Sequence, residues 1–523
     1  MMKRKKKHSD DLTVNEVPVY GEDPKPKKEK IDILDLTTPK AVKNPPKDRK
    51  GRNREMVKSS YVIVVLFLSL CGYLVYFNII KAPQVNANSY NSKQDAKESM
   101  VIRGGIYTDD GQMIAGTNVD AGGNESRVYP YGQVFSHVTG YATNGKSGME
   151  AEYNSELLTS NSSILQQLES NSEQEKVRAD NLYTTFNSSL QRAAYDALSA
   201  TGLNGAVVVL EPDTGKILAM VSLPGFDPNT ISQDWDYLVS SENSPLLNRA
   251  AQGLYPPGST FKILTTLAYI RENPDTYQNF SFDCQGVVTI GDVSITCYGG
   301  QMHGQETLEE AFMRSCNGAF ATIGTELKYS PYKEICQDFF FNDSIDFAMD
   351  TAKSSFALQE NSSVGDQMTT AIGQGDTLAT PLQMALIASA VANGGTIMKP
   401  YYLDHISTYD GDLVKQYKSS AYRTVMSSDE AAVLAQFMTR TGVEGTAAAL
   451  SGNGYTVAGK TGSAEYDLDD SGDSLGTHSW FVGYSNVEDP DIAVAVIVEN
   501  GGSGSSTAVP LAKTVFDAYY YGY

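Results

Sequence analysis

The sequence predicts an α+β fold: one antiparallel sheet with helices on both sides, a small mixed domain before it, and one membrane-spanning helix ahead of both. Three observations carry this. Tyr61 to Ile80 runs for 20 residues without a charge, long enough to cross a bilayer as a single helix. Apolar strands joined by turn residues occur at both ends of the long C-terminal region, at 205–222 and 455–499. Helical patterns fill the stretch between them, so one sheet is assembled from the two ends.

The chain has 523 residues and a net charge of −21, and the charge is segregated. Residues 1–58 hold 17 Lys/Arg against 10 Asp/Glu. That leaves a strongly acidic body, which argues against a nucleic-acid partner. With its Lys3–Lys7 cluster, scattered prolines and few aromatics, the 1–58 segment reads as a disordered basic tail. Lys50, Arg52, Arg54 and Lys58 precede the apolar run, and only Lys81 follows it closely. The basic flank stays in the cytoplasm, so 59–81 reads as a single-pass anchor and the body lies outside the cell membrane. A cleaved signal peptide has a shorter apolar core and rarely so long a basic tail.

Residues 82–185 read as a linker and then a mixed domain. Ile102 to Tyr107 leads into the turn Asp109-Asp110-Gly111, and Gly148-Met149-Glu150 opens a helical stretch. Residues 186–523 form the main domain. Ser189 to Leu198 has amphipathic helical spacing, and 205–222 reads as a hairpin turning at Glu211 to Gly215. Thr380-Pro381-Leu382-Gln383 reads as a capping box opening a helix to Ala392. Ser427 to Glu430 caps another helix, and Leu511 to Tyr521 closes the chain as a third.

Between these elements lies Tyr255-Pro256-Pro257-Gly258-Ser259-Thr260-Phe261-Lys262, followed by apolar positions at helical spacing. Ser259 then sits in the first turn of a buried helix, at its N–H-rich end, on the same face as Lys262. A serine hydroxyl needs a base, and a buried lysine with a lowered pKa can serve. Ser-x-x-Lys alone is weak, since an N-cap serine and a surface lysine give the same pattern. Ser315-Cys316-Asn317 and Lys460-Thr461-Gly462 stand after it in that order, and the ordered set is a strong signal.

Gly454 to Thr461 also fits the P-loop pattern G-x-x-x-x-G-K-[ST]. A P-loop needs a helix whose N-terminus faces phosphate. Here Tyr455 to Ala458 are extended-type residues, and an acidic, turn-rich stretch follows. Nucleotide binding is not expected. No cysteine has metal-ligand spacing with histidine, so neither a metal site nor a cofactor is expected. Cys284 and Cys297 lie in a stretch that reads as irregular, and they could close a loop of about 14 residues as a disulfide or remain two thiols.

These motifs resemble the class B penicillin-binding proteins, the monofunctional peptidoglycan D,D-transpeptidases. RGGIYTDDGQMIAG, YPYGQVFSHVTGY and GMEAEYNSEL are similar to that family's N-terminal domain. NRAAQGLYPPGSTFK, AIGQGDTLATPLQMA, VAGKTGSAE and HSWFVGY are similar to its catalytic domain. The short N-terminal module resembles the penicillin-binding protein A group, and no room remains for a glycosyltransferase domain. The resemblance implies the fold shared by penicillin-binding transpeptidases and serine β-lactamases. It implies that Ser259 is acylated by a stem peptide or a β-lactam, that Lys262 is its base, and that Ser315 relays a proton with help from Lys460. It implies that Asn317 holds Lys262 and the substrate backbone. Thr461, Gly462 and Ser463 then bind substrate along an edge strand, and the N–H groups of Ser259 and Ser463 form the oxyanion hole. Ser463 stands where threonine is common, and Cys316 fills the variable middle of its motif as a small buried residue. A polytopic glycan polymerase of the shape, elongation, division and sporulation family is the implied partner, and the role in division, elongation or sporulation stays open. A β-lactam sensor or hydrolase on the same fold is the alternative, and a non-catalytic scaffold a further one. Glu326, Glu334 and Glu360 lie between Ser315 and Lys460, but none has the setting of a deacylating glutamate.

Overall fold

The computed structural model describes residues 49–77, 98, 100–162, 176–468 and 474–523. Most of the predicted basic tail and of the linker after the apolar run lies outside them. A 28-residue helix spans Arg49–Tyr76, and its Met56–Tyr76 portion is apolar enough to cross a membrane, with a mean hydropathy of 2.0. The helix therefore starts inside the segment expected to be disordered. Phe77 to Tyr523 forms a separate compact unit.

The expected sheet is present. Its strands run in the order Val457–Leu468, Ser474–Ser485, Ala493–Val498, Gly205–Leu210 and Ile217–Leu223, all antiparallel. The first two and the last two strands come from opposite ends of the domain, joined at Ala493–Val498. Every residue of Gly205–Leu210 and Ala493–Val498 is buried, because helices cover both faces. Val207, Val209, Val494 and Val496 pack on one side with residues of the helices Ser188–Ser199 and Ala508–Tyr521. Val208, Ala495 and Ile497 alternate to the other side, in the core that includes the helices Lys262–Glu272 and Pro381–Ala392. Successive residues face opposite sides and both sides are covered, so a one-residue slip would expose neither; it would instead exchange which helices each valine meets.

Thr380 caps the Pro381–Ala392 helix by accepting from Gln383 N, but Gln383 does not complete a box. Its side-chain amide donates to Phe339 O at 2.7 Å, because the whole helix is buried and that carbonyl needs a donor. Ser427 and Glu430 do form the reciprocal box that opens Ser428–Val443.

A second sheet has six strands, ordered Leu413–Gln416, Leu403–Ser407, Asn181–Thr184, Ile106–Tyr107, Met113–Val119 and Glu125–Val128. Two of its strands come from the 403–416 region, so the sheet crosses the boundary expected near residue 185. Its anchor is ionic. Buried Glu150 takes Arg103 Nε at 2.6 Å and Arg127 Nε at 2.7 Å, while Arg103 also donates to Asn154 Oδ1 at 2.5 Å. Burial opposes the charge on Glu150, but the two guanidinium groups outweigh it and hold the carboxyl below its ordinary value of 4.5.

The cysteine-bearing stretch is not irregular. It folds into two antiparallel strand pairs, the hairpin Val287–Ile290 with Val293–Thr296 and, enclosing it in sequence, Phe282–Cys284 with Gly304–Glu306.

Candidate active site

The Ser259 turn is made rigid by its sequence. Gly258 has φ +53°, and Gly258–Phe261 forms a 3-10 turn before the α-helix starts at Lys262. The serine therefore precedes the α-helix instead of lying in its first turn. Thr260 Oγ1 donates to Pro257 O at 2.7 Å, and Trp480 Nε1 to Pro256 O at 3.0 Å. Gly258 N donates to Gly373 O at 2.8 Å. A Cβ on Gly373 would lie 2.1 Å from Gly258 O, so only glycine lets the two segments cross. Behind the turn, Glu499 Oε1 accepts from Arg249 Nε and Tyr255 Oη, both at 2.7 Å.

Lys262 is fully buried. Its Nζ donates to Ser315 O at 2.9 Å, Ser315 Oγ at 3.3 Å and Asn317 Oδ1 at 2.8 Å. Burial pushes its pKa down to about 8, against the opposing pull of Cys316, Cys297 and Glu306. Ser315 holds a left-handed φ of +60°, which turns the chain so that its carbonyl and hydroxyl both face the ammonium. Asn317 Nδ2 is occupied by Thr296 O at 3.0 Å. The hydroxyl of Ser259 makes no hydrogen bond among the described residues, and Lys262 is turned onto the second motif, not onto the serine.

Lys460 is also fully buried, with Nζ donating to Thr461 O at 3.2 Å and lying 5.6 Å from the centre of the Phe312 ring. Burial first, and then the charge of Lys262, push its pKa well below the ordinary lysine value. Its recorded hydrogen bond goes to its own strand and not to Ser315. The Val457–Leu468 strand that carries it is the sheet edge. No helix follows Lys460 and Thr461, which disposes of the P-loop. Thr461 Oγ1 donates to Thr446, and Ser463 Oγ accepts from Gly504 N at 3.2 Å. A Cβ on Gly462 would stand 2.9 Å from Pro257 O, so glycine lets the strand lie against the Ser259 turn.

The free edge can be assigned. With its amide oriented to match, Gln374 meets the C=O and N–H of Glu465 at 3.1 and 3.0 Å. Those groups therefore point away from the neighbouring strand. Backbone groups repeat with period two along a strand, so the N–H of Ser463 points to the same outer side. That side borders a cleft of about 1380 Å³ whose lining includes Ser259, Ser315, Asn317, Thr461 and Ser463. All eight residues singled out from the three motifs thus meet at one place. Thr446, Thr296 and Gly373 were not singled out, because their partners lie far away in sequence. The Gly in AIGQG was the one available signal.

Cys316 is more than a small filler: it is the N-cap of the Asn317–Glu326 helix, with Sγ accepting from Ala319 N. Cys284 and Cys297 are neighbours but unbonded, their sulfurs 3.6 Å apart. No short ligand spacing links Cys284, Cys297, His303 and Cys316, yet they gather in space.

Comparison with known proteins agrees with this site. Residues 205–517 match the family described as penicillin binding protein transpeptidase domain, and residues 103–182 match the penicillin binding protein A dimerisation domain. The chain belongs to the penicillin-binding protein transpeptidase family. It is 30% identical to the peptidoglycan D,D-transpeptidase PbpA of Mycolicibacterium smegmatis, over 89% of this chain and 99% of that one. It is 28% identical to the peptidoglycan D,D-transpeptidase MrdA of Haemophilus influenzae, over 75% and 69%. A ceftriaxone acyl-enzyme complex of penicillin-binding protein A from M. tuberculosis superposes with a TM-score of 0.74, at 29% identity, covering 82% of this chain and 100% of that one. The D,D-transpeptidase domain from Eggerthella lenta gives 0.70 at 32% identity, covering 80% and 98%. The family consists of serine acyl-enzymes that cross-link peptidoglycan, and the fold is the expected penicillin-binding one.

Proposed function

We propose that this chain cross-links peptidoglycan through an acyl-enzyme on Ser259, with Lys262 as the base. The observation that carries the assignment is the buried Lys262 ammonium, held by Ser315 and Asn317 beneath a free serine hydroxyl. An ammonium has three N–H donors, and here three oxygens accept them. Losing one proton leaves two donors and a lone pair. The longest bond, to Ser315 Oγ, is the natural one to give up. Lys262 then takes the Ser259 proton as Oγ attacks the carbonyl of the penultimate D-alanine. The N–H groups of Ser259 and Ser463 receive the developing oxyanion. The released Ser315 hydroxyl passes a proton to the departing D-alanine amine and takes one back from the Lys262 ammonium, with Lys460 buried under the strand to help the relay. An amine of a second stem peptide attacks the ester, and Ser259 recovers its proton.

β-Lactams acylate the same serine, and the ester persists. None of Glu326, Glu334 and Glu360 lines the cleft; among the described residues its carboxylates are Asp376 and Glu465. The 49–76 helix, with Lys50, Arg52, Arg54 and Lys58 ahead of its apolar stretch, supports a single-pass membrane protein with its N-terminus in the cytoplasm. That helix and the 103–182 region are the surfaces for a polytopic glycan polymerase. The test is labelling by a fluorescent penicillin. Ser259→Ala should abolish the covalent label with no loss of thermal stability, and a label that persists there refutes the assignment.

A further inference from the structure

Cys284 ends one strand, Cys297 follows another, His303 precedes a third, and Cys316 caps the Asn317–Glu326 helix. Their separations of 13, 6 and 13 residues match no short ligand motif. The fold nonetheless brings the four ligand atoms within 4.8 Å of one another. The sulfurs of Cys284 and Cys297 are 3.6 Å apart, those of Cys297 and Cys316 3.8 Å, and His303 Nδ1 is 3.3 Å from Cys284 Sγ. A zinc ion with Zn–S bonds of about 2.3 Å and a Zn–N bond of about 2.0–2.1 Å, at tetrahedral angles, puts its ligands about 3.8 Å apart for sulfur pairs and about 3.6 Å for sulfur and nitrogen. These three edges lie within about 0.3 Å of those lengths, and the other edges stay within 4.8 Å. A disulfide instead needs the sulfurs at about 2.05 Å.

A buried carboxylate adjoins the cluster. Glu306 is buried beside the Cys316 thiol, and among the described residues its carboxylate oxygens have no backbone, hydroxyl or amide donor. Arg314 Nη1 lies 3.7 Å from one carboxylate oxygen and His303 Nδ1 3.8 Å from the other. A buried carboxylate whose one cation within 4 Å is the partly exposed Arg314 is costly to keep charged.

We propose that Cys284, Cys297, His303 and Cys316 form a closed, structural site for a thiophilic divalent cation of the zinc class. Four protein ligands leave no open position, so the ion takes no part in acyl transfer. Two-stranded pairs are marginal alone, and the ion ties both to the floor of the cleft. Cys316 lies between Ser315 and Asn317, the two residues that hold Lys262. The ion therefore fixes the segment that positions the base.

The experiment uses the full chain in detergent, purified under reducing conditions without chelator. Metal is counted by mass spectrometry, and the protein is then reconstituted with cobalt(II). The expected result is about one zinc per chain, and for cobalt an intense thiolate charge-transfer band with tetrahedral d–d absorption. Cys297→Ser and His303→Ala should each lower the metal content at least tenfold, while Cys336→Ser, a buried cysteine outside the cluster, should leave it unchanged. Because Cys297→Ser could misfold, the native cobalt spectrum and the milder His303→Ala variant decide independently of it. Native protein that neither retains zinc nor gives the cobalt band overturns the proposal. So does metal retained by both variants, or a Cys284–Cys297 disulfide in metal-free protein as isolated. Penicillin labelling is not the readout, so the result is separable from the assignment of Ser259.

Discussion

Asn317→Ala tests whether the second motif works by holding the base. The side chain gives Lys262 one of its three acceptors, at 2.8 Å, and anchors itself on Thr296 O at 3.0 Å. A hydrogen bond to a charged group is worth about 1.5–3 kcal/mol. Alanine removes it and leaves Lys262 on Ser315 alone, free to swing within its cavity. If that energy is spent on orienting the amine in the transition state, acylation slows by about 10- to 100-fold. The assay is the second-order rate of acylation by a fluorescent penicillin, with thermal unfolding as a fold control. Asn317→Asp keeps an oxygen for Lys262 but adds a negative charge that holds its proton, so it should also be slow at neutral pH. The reasoning fails if the alanine variant is folded and acylates within about twofold of the native rate, since that corresponds to less than about 0.5 kcal/mol.

Three further outcomes are expected. Gly462→Ala forces a methyl to 2.9 Å from Pro257 O, which should lower penicillin acylation at least about tenfold while the protein stays folded; labelling kinetics check it, and a native rate contradicts it. Glu150→Gln leaves Arg103 and Arg127 without their buried partner and should cost about 3 kcal/mol by denaturant unfolding. Because the folded carboxyl sits below its ordinary value of 4.5, its stabilisation is present above that pH and is lost as pH falls through the folded value; the native protein should weaken on acidification through this window more than the Gln variant. After a β-lactam pulse and removal of free drug, intact-mass spectrometry should show the adduct persisting, and rapid return to the unmodified mass with many drug molecules hydrolysed would mean a β-lactamase.

Much of the site was legible because its chemistry is local. Ser259 and Lys262 share one turn, and Lys460 to Ser463 share one strand, so each motif kept its spacing in the fold. The two-ended sheet was legible from period and turn chemistry, since strands buried on both faces are apolar throughout. What escaped notice depends on contacts distant in sequence. Leu403–Ser407 pairs with Asn181–Thr184 across more than two hundred residues, and no short window reports that. Gly373 passes under Gly258, and Thr296 receives Asn317, for reasons visible only once the chain is folded. The gathering of Cys284, Cys297, His303 and Cys316 is hidden for the same reason: ligand spacing describes local metal loops, while these four residues meet through two strand pairs and a helix cap.

The most direct test of the central claim uses the natural chemistry. The full chain is incubated with lipid-linked glycan carrying pentapeptide stems and a glycan polymerase, quenched in acid, and digested for peptide mapping. The account predicts a stem-peptide ester on the peptide containing Ser259, cross-linked stems among the products, and neither in Ser259→Ala. Cross-linked product formed by the Ser259→Ala chain, or an ester mapped to any other residue, would contradict it.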